Sequence, residues 1–265
     1  MIPKMAIDKV RLDRLVTDRG LATSRERAQA LILAGRVLVN EQKIEKPGAA
    51  VAADSVLRML GGDLRYVSRG GLKLEAALEK WKIVLEGRFC LDVGASTGGF
   101  TDCMLQNGAA RVLAIDTGYG QIAQRLRDDS RVELRERTNA RLIKPGDLPA
   151  GISFVSMDVS FISATLVLGP VVGAAFKVPG EQCEIVVLVK PQFEAGRDAV
   201  GRGGIVRDPA AHAAAVERIR SCLATLGGEG IEVLESPITG TEGNREFLMY
   251  ARFPPGHGEE LGSGR

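Results

Sequence analysis

A chain of 265 residues with 45% apolar and 26% charged content can bury a full core and has room for one large domain beside a small one. Its 35 Lys/Arg nearly balance 33 Asp/Glu, but residues 1–65 hold twelve basic against eight acidic residues, a modest basic footprint suited to nucleic acid. No apolar run reaches the length of a membrane span, Ile162 to Phe176 being short and broken by Gly169, Pro170 and Gly173, and Met1 to Val10 has no signal-peptide core, so a cytoplasmic protein is expected.

In chain order, Asp8 to Arg19 sets Val10, Leu12, Leu15 and Val16 at helical spacing, and Gly20 ends the helix. A second helix is expected from Thr23, which can cap it while Glu26 reaches back, through Ala28, Leu31 and Ile32 to Gly35. Val37 to Val39, a turn at Asn40 and Glu41, Lys43 to Ile44 and Val56 to Met59 read as a small sheet. Arg11-Leu12-Asp13, Ser24-Arg25, Ala28-Gln29, Leu31-Ile32, Gly35 and Val37-x-Val39-Asn40 resemble the alpha-L RNA-binding motif of a small-subunit ribosomal protein. That resemblance implies phosphate contacts by Arg11, Arg14, Arg25, Arg27 and Arg36. Asp13 superficially matches the catalytic segment of pseudouridine synthases, but it lies inside the small helix pair and reads as structural.

Gly61, Gly62 and Asp63 mark a break, which gives an RNA-binding domain over 1–63. Residues 64–71 form a connector too short and arginine-rich to be a passive tether, and its Arg65 and Arg69 are further RNA-binding candidates. A catalytic domain is expected over 72–254, followed by a flexible tail over 255–265. Within it a helix runs from Leu72 to Trp81, and Cys90 to Phe100 reads as a buried strand, a glycine-rich turn and the opening of a helix. A second strand, Arg111 to Ile115, ends in Asp116, and the distance from glycine turn to acid is roughly the 20 residues that an adenosine ribose requires. Ser96 stands where a second glycine would let a pyrophosphate approach, which favours S-adenosylmethionine over NAD.

Further on, a helix over Gln121 to Arg127 and strands at Val132 to Leu134, Ile152 to Met157, Glu184 to Val189, Ile231 to Leu234 and Glu246 to Arg252 alternate with helices at Ser163 to Phe176 and Pro209 to Leu226. The pattern is an α/β fold, a Rossmann-like doubly wound sheet of seven strands, with a small α+β domain ahead of it. Parallel α/β sheets place ligands at the carboxyl ends of their strands, where Asp158 and Lys190 fall. Glu246 reaches the same edge if the last strand is antiparallel, and Lys73 lies just ahead. The four cysteines form no Cys-x-x-Cys pair and read as buried thiols; with only His212 and His257 in the chain, no metal site is expected.

Seven blocks resemble the TlyA family of rRNA ribose 2′-O-methyltransferases, often labelled haemolysin A, whose catalytic domain is FtsJ-like. They are Tyr66 to Leu74, Gly94 to Asp102, Gly118 to Gln121, Glu136 to Asn139, Asp158 to Ser163, Val189 to Glu194 and Gly243 to Phe247. The resemblance implies a Lys-Asp-Lys-Glu tetrad at Lys73, Asp158, Lys190 and Glu246. It implies donor binding by Gly94, Ala95, Ser96, Thr97, Gly98, Gly99, Phe100 and Asp116, with Thr138 and Asn139. No obligate protein partner is evident, and the lack of a spanning segment or an amphipathic membrane helix opposes a membrane role. The implied acceptor is a cytidine ribose of large-subunit (23S) rRNA within the ribosomal subunit. The short polar end after Pro254-Pro255-Gly256 favours this over small-subunit (16S) rRNA.

A ribose hydroxyl must be held in line with the methyl group and relieved of its proton. Burial and the like charge of Lys73 would favour a neutral Lys190 that takes this proton; Asp158 and Glu246 would favour a cation that only steers the oxygen. Both roles stand at this point. Carbon-5 pyrimidine methylation is disfavoured because no Pro-Cys occurs, and amino-group methylation because Asp158-Val159-Ser160-Phe161 lacks the usual paired prolines. A ribosome-binding factor with a vestigial donor pocket, and a membrane-active haemolysin, are the rival readings.

Overall fold

The computed structural model describes residues 9–22, 24–60, 65–176, 182–196, 199–201, 203–240 and 243–254. The chain divides into two compact units, Met1–Arg69 and Gly70–Arg265. The expected cap at Thr23, the break at Gly61 to Asp63 and the tail over 255–265 lie outside the described residues.

In the first unit, β1 (Lys9–Arg11) precedes α1 (Leu12–Asp18), α2 (Arg25–Leu33), β2 (Val37–Val39), β3 (Gln42–Lys43), β4 (Ala50–Ala52) and β5 (Leu57–Met59). The first helix is shorter than its apolar spacing predicts because Lys9–Arg11 pairs antiparallel with β4, a strand too short to read from alternation. Leu12 and Asp13, whose amides have no partner inside the helix, donate instead to the carbonyls of Ala49 and Pro47 at 2.9 and 3.0 Å. Ser24 caps α2, its hydroxyl accepting from the Arg27 amide at 3.2 Å. Asn40 and Glu41 both take left-handed backbone, φ 49° and 64°, as a two-residue hairpin turn between β2 and β3 requires. Leu12, Val16, Ala28, Leu31, Ile32 and Val37 are fully buried at the centre.

The second unit begins with α3 (Gly70–Trp81), two residues earlier than expected, and continues through β6 (Phe89–Val93), α4 (Gly99–Gln106), β7 (Arg111–Ile115), α5 (Gln124–Arg127) and β8 (Val132–Arg135). Then come β9 (Ile152–Met157), α6 (Thr165–Ala175), β10 (Cys183–Val189), the single turn α7 (Pro191–Glu194), α8 (Pro209–Thr225), β11 (Glu229–Glu235) and β12 (Phe247–Phe253). The seven strands lie in the order β11-β12-β10-β9-β6-β7-β8, and β12 alone runs antiparallel to its neighbours, β11 and β10. Alternation along the buried strands separates two faces. Leu91, Val93, Leu113, Ile115, Ile185, Val187 and Val189 pack with α6 and α8, while Trp81 of α3 stacks on Tyr250, centroids 5.2 Å apart.

Register decides what meets at the carboxyl edge. Val93 lies opposite both Ile115 and Met157, and Met157 opposite Val187. Gly94, Asp116 and Asp158 therefore emerge side by side. On the far side Val189 pairs with Phe247, which sets Lys190 level with Glu246. Cys90, Cys103 and Cys183 are buried free thiols and Cys222 is half-buried; burial pushes the Cys90 thiol up to about 12.

Candidate active site

A cavity of about 480 Å³ opens at this edge, within the usual range for a small-molecule site. Val93, Gly94 and Ser96 line it after β6, Ile115 to Gly118 after β7, Thr138 to Arg141 after β8 and Asp158 to Ile162 after β9, with Gln121 and Val167 completing it. A Cβ at Gly94 would stand 2.4 Å from the Asp158 carbonyl oxygen, so glycine alone lets the turn after β6 approach the segment after β9. Ser96 adopts φ 48° despite its side chain. Its amide donates to Asp116 Oδ2 at 2.8 Å and the Gly118 amide to Oδ1 at 2.6 Å, so Asp116 braces the glycine turn from the next strand. The carboxylate keeps further acceptor capacity suited to a ribose diol.

Of the expected donor-binding residues, Gly94, Ser96, Asp116, Thr138 and Asn139 line the cavity, whereas Ala95, Thr97, Gly98, Gly99 and Phe100 do not. Ala95 and Phe100 are buried in the packing and Thr97 is exposed. Gly98, at φ 93°, precedes α4 where a side chain would strike Leu126. The second half of the motif thus serves the turn and its helix. The Thr138 amide donates to the Asp116 carbonyl at 2.8 Å, and Asn139 caps the 3-10 turn Ala140–Leu142 by accepting from the Arg141 amide at 3.1 Å.

The four expected ionisable groups resolve into two ion pairs. Lys190 Nζ lies 2.6 Å from Asp158 Oδ1 and donates to Ser160 Oγ at 2.7 Å. Lys73 pairs with Glu246, and both are buried. Lys73 is therefore Glu246's partner. Beneath the cavity, Asp92 is wholly buried and accepts from the Thr101 hydroxyl at 2.6 Å and the Ser156 hydroxyl at 3.0 Å. Burial pushes its carboxyl up to about 7, against the opposing effect of the two hydroxyls.

Exposed aromatic side chains also stand at this edge, beyond the residues expected to bind the donor or carry the chemistry. Phe161 is 92% exposed at φ 65°, an outlying backbone for a bulky residue, and its ring lies 5.4 Å from that of Phe193. Tyr119, also exposed, sits under the Arg137 guanidinium, 4.5 Å from the ring centroid. An aromatic following a strand-end acid was the available signal for Phe161.

The description of FtsJ-like methyltransferases matches residues 66–253. The chain belongs to the FtsJ-like methyltransferase family. The S4 domain matches residues 10–57, so the first unit is the S4 RNA-binding fold that its motif implied. The chain is 49% identical to YqxC of Bacillus subtilis, provisionally named an rRNA methyltransferase, over 97% of this chain and 90% of that one. It is 44% identical to TlyA of Mycobacterium tuberculosis, named a 16S/23S rRNA (cytidine-2′-O)-methyltransferase, over 92% and 90% of the two chains. A solved structure from Streptococcus thermophilus, described provisionally as a hemolysin, superposes with a TM-score of 0.70 at 42% identity, covering 94% and 90%. No helix among the described residues is long and apolar enough to cross a membrane. FtsJ-like methyltransferases draw their methyl group from S-adenosylmethionine, and the braced glycine turn and Asp116 suit its adenosine half.

In the S4 domain, Asp13 is fully buried and gathers several of the expected arginines. It accepts from Arg11 at 3.0 and 2.8 Å, from Arg25 at 3.1 Å, from Gln29 at 2.9 Å and from the Arg14 amide at 2.9 Å. The Arg11 guanidinium holds the Asp13 carboxyl far below the usual range, with Gln29 and Arg25 adding to it against burial. Arg27 donates to the Tyr66 carbonyl at 2.6 Å and Arg36 to the Leu60 carbonyl. Arg14 is largely exposed and stands 3.4 Å from Asp18, and Arg65 and Arg69 are exposed.

Proposed function

We propose that this methyltransferase modifies a ribose 2′-hydroxyl of ribosomal RNA, with a cytidine of the large subunit as the first acceptor to test. The observation that carries the reading is that Asp158, which lines the donor cavity, holds the Lys190 ammonium. Charge is thereby poised where the acceptor oxygen must meet the methyl group. Bound in the cavity, S-adenosylmethionine supplies an electrophilic methyl group; Gly94, Ser96 and Asp116 would hold its adenosine half, with Thr138 and Asn139 beside them. Lys190, held by Asp158 and Ser160, steers the 2′-oxygen onto the methyl carbon; the methyl group's bond to sulfur breaks as its bond to oxygen forms, and the hydroxyl proton passes to water. Glu246 fixes Lys73, which positions the acceptor strand. The exposed ring of Phe161, backed by Phe193, offers a face on which an unstacked base can lie. The S4 domain supplies salt-sensitive anchorage through Arg11, Arg14, Arg25, Arg27 and Arg36, with Arg65 and Arg69 beyond it.

Mass-spectrometric mapping of purified large and small ribosomal subunits incubated with the protein and donor tests this reading. New ribose methylation at a cytidine of the large subunit is expected. Methylation on a base, or none on either subunit, would defeat it.

A further inference from the structure

One buried acid at the same edge has no place in the tetrad. Glu194, 2% exposed, closes the single turn α7 four residues after Lys190. Its Oε2 accepts from the Ser163 hydroxyl at 2.6 Å, and its Oε1 from the Ala164 amide at 2.8 Å. Ala164 is the residue that caps α6, so this amide has no partner within the helix. Ser163 Oγ also lies 2.7 Å from Thr165 Oγ1 and accepts from the Thr165 amide at 3.3 Å. A carboxylate on the segment after β10 therefore fastens the end of the segment after β9.

Those two segments carry the reactive pair. Asp158, Ser160 and Phe161 lie on the first; Lys190, Phe193 and Glu194 lie on the second. They meet at the front through Asp158, Lys190 and Ser160 and between through the two phenylalanine rings. Glu194 ties them at the back. The second segment is stiff, because Pro191 opens its turn and the Phe193 amide donates to the Lys190 carbonyl at 2.9 Å. The first holds Phe161 at φ 65°, a backbone that persists only where its surroundings over-determine it. We infer that Glu194 is a positioning residue, a latch that keeps Asp158 in contact with Lys190 before the acceptor arrives. This rests on the methyltransferase reading above.

The latch requires hydrogen-bond geometry and not charge, which separates two variants. In Glu194→Gln the amide oxygen still accepts from Ala164 and the amide nitrogen can donate to Ser163 Oγ, whose hydroxyl turns to Thr165. Glu194→Ala removes both contacts. Under saturating donor and rRNA, single-turnover transfer should fall about tenfold or more in Glu194→Ala, with rRNA KM and donor Kd within about threefold, and stay within about threefold of wild type in Glu194→Gln. Hydrogen exchange over 158–164 reads the latch without turnover: it should quicken in Glu194→Ala and not in Glu194→Gln. Ser163→Ala removes one contact and leaves the carboxylate. It should show a smaller loss in the same direction, and it decides the matter if Glu194→Ala does not fold. Wild-type transfer in Ser163→Ala, equal losses in both Glu194 variants, or unchanged exchange in a folded Glu194→Ala would each overturn the latch. A wild-type protein that transfers no methyl group while the exchange difference holds would instead remove the functional reading and leave the latch standing.

Discussion

Two aspartates, one in each unit, have no exposed surface, yet their carboxyls shift in opposite directions. Asp13 meets two guanidinium groups, a carboxamide and a backbone amide, and its carboxyl is driven down; Asp92 meets two hydroxyls, and its carboxyl rises to about 7. Loss of exposure alone therefore does not set charge. At Asp13 the Arg11 guanidinium outweighs the loss of water, whereas at Asp92 the loss of water leads and two hydroxyl dipoles do not offset it. At the active edge Asp158 faces the Lys190 ammonium at 2.6 Å, and it lies two residues beyond Ser156, which donates to Asp92.

The largest effect should come from removing a cation from such a pair. Lys190→Ala should lower methyl transfer by about a hundredfold or more while leaving donor affinity within a few fold, as transfer assays and calorimetry would show. Near-normal turnover would remove the pair from the mechanism. Lys190→Arg sharpens the point. Partial activity there is expected if Lys190 steers as a cation, and its complete absence would favour proton abstraction by the lysine.

Next in size is Asp13→Ala, which leaves Arg11, Arg25 and Gln29 without their common acceptor and should destabilise the S4 unit by about 1–3 kcal/mol. Its pH dependence has a definite sign. A depressed carboxyl contributes stability that is full above the unfolded value near pH 4 and is lost as pH falls below it. Slow-exchanging amides of α1 and α2 should lose protection in acid in the wild type, and Asp13→Asn should flatten that loss. An acid transition unchanged in Asp13→Asn would show that another group governs it.

How much of this could be read from the chain depended on segment length and on what each residue faces. The seven strands are legible because Ile152–Met157 and Cys183–Val189 are unbroken apolar runs and because Asp116, Asp158 and Lys190 punctuate strand ends, while the reversed sense of the last strand is only a condition there. Lys9–Arg11 and Ala50–Ala52 were not, since three residues of mixed exposure carry no period and exist only by pairing with each other. The turn Pro191–Glu194 is too short for any pattern. At the cavity, Gly94, Ser96 and Asp116 are legible in the sequence as lining residues because they end strands in a turn and an acid. Gly98, Gly99 and Phe100 stand outside the cavity lining, a difference the sequence does not display because a glycine that packs a helix looks the same there as one that admits a nucleoside. Which lysine pairs with which acid was not legible, because that depends on the level at which β12 meets β10.

Asp92 gives the mirror of the Asp13 prediction. A carboxyl raised to about 7 binds a proton in the folded state that it has released in the unfolded one, so stability falls as pH rises from near 4 to about 7 and then levels. Asp92→Asn has no proton to lose. Denaturant midpoints of the methyltransferase unit should therefore be flatter across that window in the variant than in the wild type. Parallel curves would mean that Asp92 is ionised throughout.

The smallest effect concerns the arginines outside the Asp13 cluster. Arg11 and Arg25 are engaged by Asp13, whereas the Arg14 side chain is 73% exposed and stands 3.4 Å from the exposed Asp18. An arginine so placed can turn to a phosphate without giving up a buried contact, and its exposed ion pair contributes little to stability. Arg14→Ala should thus weaken rRNA binding evenly across sequences, reduce the slope of log affinity against log salt by about 1, and change stability by less than about 0.5 kcal/mol. Arg11→Ala differs because it removes a donor from Asp13, so it should lower stability as well as the slope. Binding titrations at several salt concentrations, paired with thermal melts, separate the two. An unchanged salt slope in Arg14→Ala would mean that the exposed face of α1 does not meet RNA, and would move the anchorage of the S4 domain to α2 and the residues that follow it.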